Sequence, residues 1–343
     1  MKSTLRFLAI SAISLVIATG VDAAKIVPSK KYITRTVTSG NFNAVRTNSS
    51  LDIIYTVGPK KIEIYAPDNL MPYIKVSISG KELRVNYSES MTINGSHKSV
   101  VRISAPSVSR FTTGSAGDIK IQSPLNLPNE DVSFHVLSAG DIDAKNINAK
   151  SFKMIINSAG DVETGNIRAN EVTLITNSAG DIETGVVTAL NTASIVTNSA
   201  GDIEIPEVVG GKSVSIATNS AGDIKIREVS APSASFTASS AGDIKVSNVK
   251  ANTVGSSAGS AGDITLSGIC KQANLTARSS GDINAAGLKA NVVLATLSSI
   301  SDIYCWPLEE LQASRSGRGE IRYKGKPTRI SISSSKNSGV RPM

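Results

Sequence analysis

A tetrapeptide of the type Ser-Ala-Gly-Asp returns along this chain at a nearly constant step. Its aspartates are Asp118, Asp141, Asp161, Asp181, Asp202, Asp223, Asp243, Asp263, Asp282 and Asp302, separated by 23, 20, 20, 21, 21, 20, 20, 19 and 20 residues. Self-similarity at this period marks one short supersecondary unit stacked many times. No segment carries the 3.6-residue period of a helix.

With each Asp as position zero, position +1 is always β-branched and apolar, from Ile119 and Ile142 to Ile283 and Ile303. Position +6 is Ile147, Ile167, Val187, Val208, Val229, Val249, Ile269, Leu288 and Leu308, and +8 is mostly Ala. Position −7 is apolar in nearly every repeat and −9 is often Val, as at Val132 and Val172. These are period-2 strands with one buried face. Ser stands at −3 in all ten repeats and Gly at −1 in nine, which suits a bend or a close approach of neighbouring backbones. The pattern predicts an all-β fold, a single-stranded parallel β-helix of about ten to twelve coils with ~20 residues each. Ile at +1 and Ile or Val at +6 would form two continuous apolar ladders. The low aromatic content, 4%, fits a narrow interior.

Both ends depart from the repeat. Residues 1–23 read as a secretory signal peptide: Lys2 and Arg6, an apolar run Phe7 to Gly20, then small residues before Ala24. A membrane anchor is the rival reading, but the run is short of the ~20 residues that span a bilayer. No Cys follows it, which argues against lipid attachment, and no later stretch reads as a transmembrane segment. Residues 24–113 read as an N-terminal β cap. It includes a degenerate first coil, Asn48-Ser49-Ser50-Leu51-Asp52-Ile53, and hairpins around a Gly80-Lys81 turn that shield the sheet edge. Residues 114–313 are the regular coils, and 314–343 a degenerate last coil with a basic tail.

Without residues 1–23 the net charge falls from +8 to +7, that is 34 basic against 27 acidic residues. Eight basic residues stand in the stretch from Arg315 to Arg341, against the single acid Glu320. Such a tail suits an anionic surface; a solvated, partly frayed terminus is the plainer reading. Nucleic acid is not expected as a partner, because so few aromatics are present to stack on bases. Cys270 and Cys305 lie two coils apart, about 10 Å, which argues against a disulfide, and Cys305 reads as a small core residue.

The flanks of the repeat carry a further signal. Phe42-Asn43-Ala44-Val45, Leu51–Val57, Lys61–Ala66, the Val76–Ser79/Glu82–Val85 hairpin and Val100–Ala105 precede the first Gly-Ser-Ala-Gly-Asp-Ile at Gly114–Ile119. Gly319-Glu320-Ile321-Arg322-Tyr323-Lys324-Gly325-Lys326-Pro327 follows the last coil. This order resembles the head GIN domain family of putative auto-transporter adhesins, exported bacterial β-helical proteins. The resemblance implies export to periplasm, cell surface or medium, a β-helix, and adhesion. It supplies no catalytic residues.

Stacking in register would align ten carboxylates. Neighbouring charges ~4.8 Å apart repel by about 0.9 kcal/mol in water and more near a protein surface. Three kinds of compensation are open: hydrogen bonds from backbone N–H groups or from Ser at −3, cations such as calcium, or Lys at +2. Position +2 is Lys120, Lys225 and Lys245 in some coils but Asp143, Glu163, Glu183 and Glu204 in four successive ones. A calcium site, if the ladder has one, would fall on Asp141, Asp143, Asp161, Glu163, Asp181, Glu183, Asp202 and Glu204. Asn157, Asn177, Asn198 and Asn219 at −4 add an amide ladder nearby.

The sameness of the aspartates argues against catalysis, since a catalytic group should stand out from its repeat. His97 lies in a polar turn and His135 at −6, on the outward parity of its strand. Trp306, Tyr304 and Tyr323 are the one local aromatic cluster, which core or cap packing explains. The sequence thus reads as a non-enzymatic, adhesin-like binding or scaffold protein with no cofactor beyond the calcium considered above. Its partner would be a glycan, another cell-surface polymer or a protein. The alternative is a polysaccharide-degrading β-helix enzyme, a lyase or hydrolase.

Overall fold

The structure is a computed structural model, and it describes residues 24–88, 91–334 and 339–343. The expected signal peptide, 1–23, lies outside them. The described chain is a β-solenoid of about eleven turns. No helix in it is long and apolar enough to cross a membrane.

The burial pattern explains the shape of a turn. In the coil that begins at Asp161, Val162 and Thr164 face inward, and Gly165 and Asn166 both face outward. Ile167 and Ala169 face inward, then Asn170 and Glu171 outward, then Val172, Leu174 and Thr176 inward again. Two successive outward residues cannot lie on a straight strand, whose side chains alternate, so the chain turns at +4/+5 and at +9/+10. Ser178-Ala179-Gly180-Asp181 makes the third corner, and the coil closes as a triangle.

Successive coils pair in parallel and in register. The +1 column runs unbroken from Val101 and Ile53 through Ile119, Ile142, Val162 and their successors to Ile303 and Ile321. All of these side chains are fully or almost fully buried. The glycine at −1 is required by close approach. A Cβ on Gly160 would fall on the carbonyl oxygen of Gly140, well inside van der Waals contact, and the same holds coil after coil.

The +6 column is not the continuous ladder that the sequence predicts. Ile269 is 59% exposed and Leu308 44% exposed. In the first case the coil is one residue short. Gly268, at φ +127°, takes the inward place opposite Val249, and Ile269 is turned out beside Lys250. In the second, Trp306 pairs with Lys289 and Pro307 with Ala290 after a register shift, which leaves Leu308 outside.

The aromatic side chains of the core, Phe236 excepted, gather at the N-terminal end. Tyr55, Phe111, Phe134 and Phe152 form an edge-to-face chain with centroids 5.1 to 5.6 Å apart. Such contacts add to the area they bury. Tyr55 also donates to the carbonyl of Ala105 at 2.8 Å, and burial pushes its phenol up to about 12.

The cap is more than a lid. Ala44–Thr47 and Asp52–Val57 form the degenerate coil, which pairs above with Arg110–Thr113 and Ile119–Ile121. Below, it pairs in parallel with Glu82–Tyr87 and Val100–Ala105, so a later segment of chain makes the floor turn. Antiparallel strands Ile74–Ser79, Lys61–Pro67 and Tyr32–Val37 then cover that floor. At the far end the basic segment is folded rather than frayed over its described residues. Arg329–Ser334 pairs with Ile303–Arg315, and Val340–Pro342 with Ile321–Tyr323. Glu320 and Glu310 hold Arg322, Arg341 and Arg329 at 2.7 to 2.8 Å.

Candidate ligand-binding face

The aspartate row is tied together by the backbone. Oδ1 of each Asp accepts the N–H of the residue at position zero in the next coil. The bonds run from Asp52 to Asp118, on through Asp141, Asp161, Asp181 and Asp202, and finally from Asp302 to Glu320. They measure 2.7 to 3.2 Å. This is the backbone form of the compensation expected from sequence. The Ser at −3 acts differently from expectation: its carbonyl accepts the N–H of the next coil's glycine, as Ser158 does from Gly180 at 2.9 Å. The Asn ladder forms as expected, with Asn177, Asn198 and Asn219 each donating to the preceding amide oxygen at 2.7 Å.

One element of this corner was not read from sequence. Thr176, Thr197 and Thr218 at −5 are buried and donate from Oγ1 to the carbonyls of Gly180, Gly201 and Gly222 at 2.6 Å. Recurrent Thr five residues before the Asp was the available signal.

The +2 column is the outward face of the short strand that follows each Asp. Register stacks Lys120, Asp143, Glu163, Glu183, Glu204, Lys225 and Lys245 in one line. Lys120 closes the acidic run at one end, with Nζ 2.6 Å from Asp143 Oδ2, and this bond raises the pKa of Lys120 above the usual lysine value. At the other end the run meets two lysines. There a groove of about 480 Å³ opens over Glu183, Glu204, Lys225, Arg227, Lys245 and Ser247. Its position follows from a change of corner. In the preceding coils Asn146 and Asn166 accept the N–H groups of Asn166 and Val186 at 2.9 Å across the +5 turn. From Pro206 onward that ladder ends, and the strand Ile203–Gly210 runs through.

Two successive regions of the chain, 41–208 and 208–327, match the family described as "putative auto-transporter adhesin, head GIN domain". The chain belongs to this family. Similar solved structures include a putative adhesin from Bacteroides fragilis, 23% identical, covering 93% of this chain and 100% of that one with a TM-score of 0.26. A putative adhesin from Parabacteroides merdae is 16% identical over 94% of this chain and 100% of that one, with a TM-score of 0.30. A structure from Parabacteroides distasonis described as a putative lipid binding protein is 16% identical over 93% of this chain and 99% of that one, with a TM-score of 0.28. No functionally curated protein matches the chain.

In this GIN-domain face the eight candidate calcium ligands form two parallel rows. Asp141, Asp161, Asp181 and Asp202 lie at position zero; Asp143, Glu163, Glu183 and Glu204 lie two residues on. One oxygen of each row-zero carboxylate is committed to an N–H. Among the described residues no three Asp, Glu, His or Cys side chains converge as a metal site. The rows offer the oxygens that calcium prefers, but an ion there would draw most of its shell from water.

The other singled-out residues fall apart from this face. Both cysteines are buried and free; burial pushes Cys270 up to about 11 and Cys305 up to about 12. His97 accepts or donates at 3.1 Å with the Tyr87 hydroxyl. Trp306 is not a core residue. It is half-buried on the outer surface, with Lys289 Nζ 4.7 Å and Lys324 Nζ 5.4 Å from its ring centroid.

Proposed function

We propose that this GIN-domain protein is a non-enzymatic, exported, adhesin-like binder that holds a surface polymer along its +2 column. The observation that carries the reading is the line Asp143, Glu163, Glu183, Glu204, Lys225, Lys245, in which the backbone repeats and only the charge varies. A rigid ladder with graded charge presents the same step, ~4.8 Å, to every unit of a repetitive partner. A glycan is the favoured partner, because the groove at Glu204 and Lys225 is open, polar and lined by donors and acceptors. Family membership supports surface adhesion and export.

The polysaccharide-cleaving alternative lacks a feature to stand on. Glycosidases need two carboxylates whose environments push them apart. Here Asp141, Asp161, Asp181 and Asp202 are held alike, each accepting the N–H of the residue at position zero in the next coil.

Glycan-array binding by the full chain, in calcium and in EDTA, with released sugar assayed alongside, tests the reading. Binding that falls in Glu183→Gln/Glu204→Gln or Lys225→Ala/Lys245→Ala, without sugar release, is the expected result. Release of sugar, or binding indifferent to all four positions, would overturn it. Loss of binding in EDTA would add calcium to the face.

A further inference from the structure

A second side of the coil carries cations that the repeat does not call for. On the strand that leads into each Ser-Ala-Gly-Asp corner, positions −8 and −6 point outward. In the regular coils they hold Thr173, Ser194 and Ser215 at −8, and Val196 and Ala217 at −6. In the first turns they hold Arg110 and Lys153 at −8, and Arg46 and His135 at −6. Parallel register places Arg46, Thr112 and His135 in one column and Arg110, Ser133 and Lys153 in the next. Stacking does not fix the residue type at these exposed places.

These side chains line a cleft of about 540 Å³, continued by a depression of about 230 Å³ that shares Arg110 and Glu82 with it. The acids present are already engaged. Glu82 accepts from Arg84 at 2.6 Å, and Asp131 accepts from Ser151 at 2.7 Å with Lys150 at 3.9 Å. Among the described residues neither the Arg110 nor the Lys153 side chain has a hydrogen-bond or ion-pair partner. His135 is half-buried between them on the strand Leu125–Val136. Burial first, then Arg110 and Lys153, hold its pKa below the usual histidine value. The charged groups around it are Arg46 and Arg110 from the two strands below, Lys153 from the strand above and Asp131 on its own strand.

We propose that this cleft binds an acidic glycan, with Arg110 and Lys153 meeting its sulfate or carboxylate groups and His135 donating to the same groups. Arg46, Arg110, His135 and Lys153 stand one to a coil on four successive coils, alternating between two adjacent columns, so the basic groups follow the rod as a linear polymer would. A bilayer would call for apolar anchors beside the charges, and Leu137 is the one large exposed apolar side chain in this lining. The cleft is separate from the +2 groove, since the two lie on different strands of the coil.

The test uses the two histidines as reporters, since His97 and His135 are the only ones in the chain. Imidazole NMR titrations of the full chain are run alone, with a heparin-derived hexasaccharide, with an oligogalacturonate and with neutral dextran oligosaccharide. Saturation with either acidic sugar is expected to raise the His135 pKa and to leave His97 unmoved, with no effect of dextran. Arg110→Ala/Lys153→Ala is expected to cut affinity for the acidic sugars at least tenfold, and the Lys225→Ala/Lys245→Ala variant is measured alongside. An unmoved His135 in the wild-type chain overturns the proposal without reliance on any variant. So does unchanged affinity in Arg110→Ala/Lys153→Ala, or binding to phosphatidylglycerol vesicles in place of the sugars. Loss confined to the Lys225/Lys245 variant would assign acidic sugar to the other face and leave the adhesin reading standing.

Discussion

Oδ1 of Asp161 accepts the backbone N–H of Asp181 at 2.8 Å, while the carbonyl of Asp181 accepts the N–H of Val162 at 3.0 Å. The two aspartates therefore bind each other's coils in both directions. The side chain gains a charge-assisted hydrogen bond, which offsets repulsion of about 0.9 kcal/mol per neighbour in water.

The role is one of acceptor, not of charge. Asp181→Asn keeps an oxygen for the N–H of Asp202 and removes two repulsive pairs, so its stability should equal or exceed the wild type. Asp181→Ala removes the acceptor and should cost about 1 kcal/mol. Urea unfolding of both variants checks the order; a more stable Ala variant would sink the acceptor reading.

Glycines at −1 should be intolerant where Gly255 is not. Gly160→Ala sets a methyl against the Gly140 carbonyl and should cost about 1–3 kcal/mol. Gly255→Ala meets nothing within 4 Å and should be neutral or stabilising by up to about 1 kcal/mol. Paired thermal melts decide it.

Asp282 should show in the pH profile. Burial raises its pKa, and Asp263 and Asp302 add to the effect. Its folded-state value lies above the unfolded one, so the folded chain holds the proton to higher pH. Its contribution to stability therefore grows as pH falls through the folded value and is complete below the unfolded one. Asp282→Asn should remove that component and be relatively most stabilising near neutrality. Stability curves for the two proteins that stay parallel across the acid range would contradict this.

The thiols should stay silent while the rod is intact. With Cys270 up at about 11 and Cys305 at about 12, both are protonated at neutral pH, and neither is bridged. The thiolate is the reactive form, so a thiol reagent should label both only on unfolding. Rapid labelling of Cys305 in the native protein would contradict its burial.

The period and the +1 column made the solenoid legible, because a β-branched residue recurring beside a recurrent small-residue corner has few ways to pack. The Asn ladder was legible for the same reason. What escaped was local. Ile269 keeps the residue type of its column, yet a coil shortened by one residue hands the inward place to Gly268. Trp306 reads as packing because aromatics usually are, and its two lysine partners come from other coils. The basic cleft was hidden because Arg46, Arg110 and Lys153 lie far apart in sequence and meet only through register. Parity alone placed His135 outward and could not show the cations above and below it.

The floor turn has a consequence for how the rod comes into being. The degenerate coil at 44–57 is clasped below by 82–105 and above by 110–121, both made of chain that follows it. A chain emerging from its N-terminal end cannot lay the floor beneath its first coil until residue 105 is free. Every later coil needs only the coil before it. The floor of the rod is thus built out of chain order, while the coils beyond it stack in chain order.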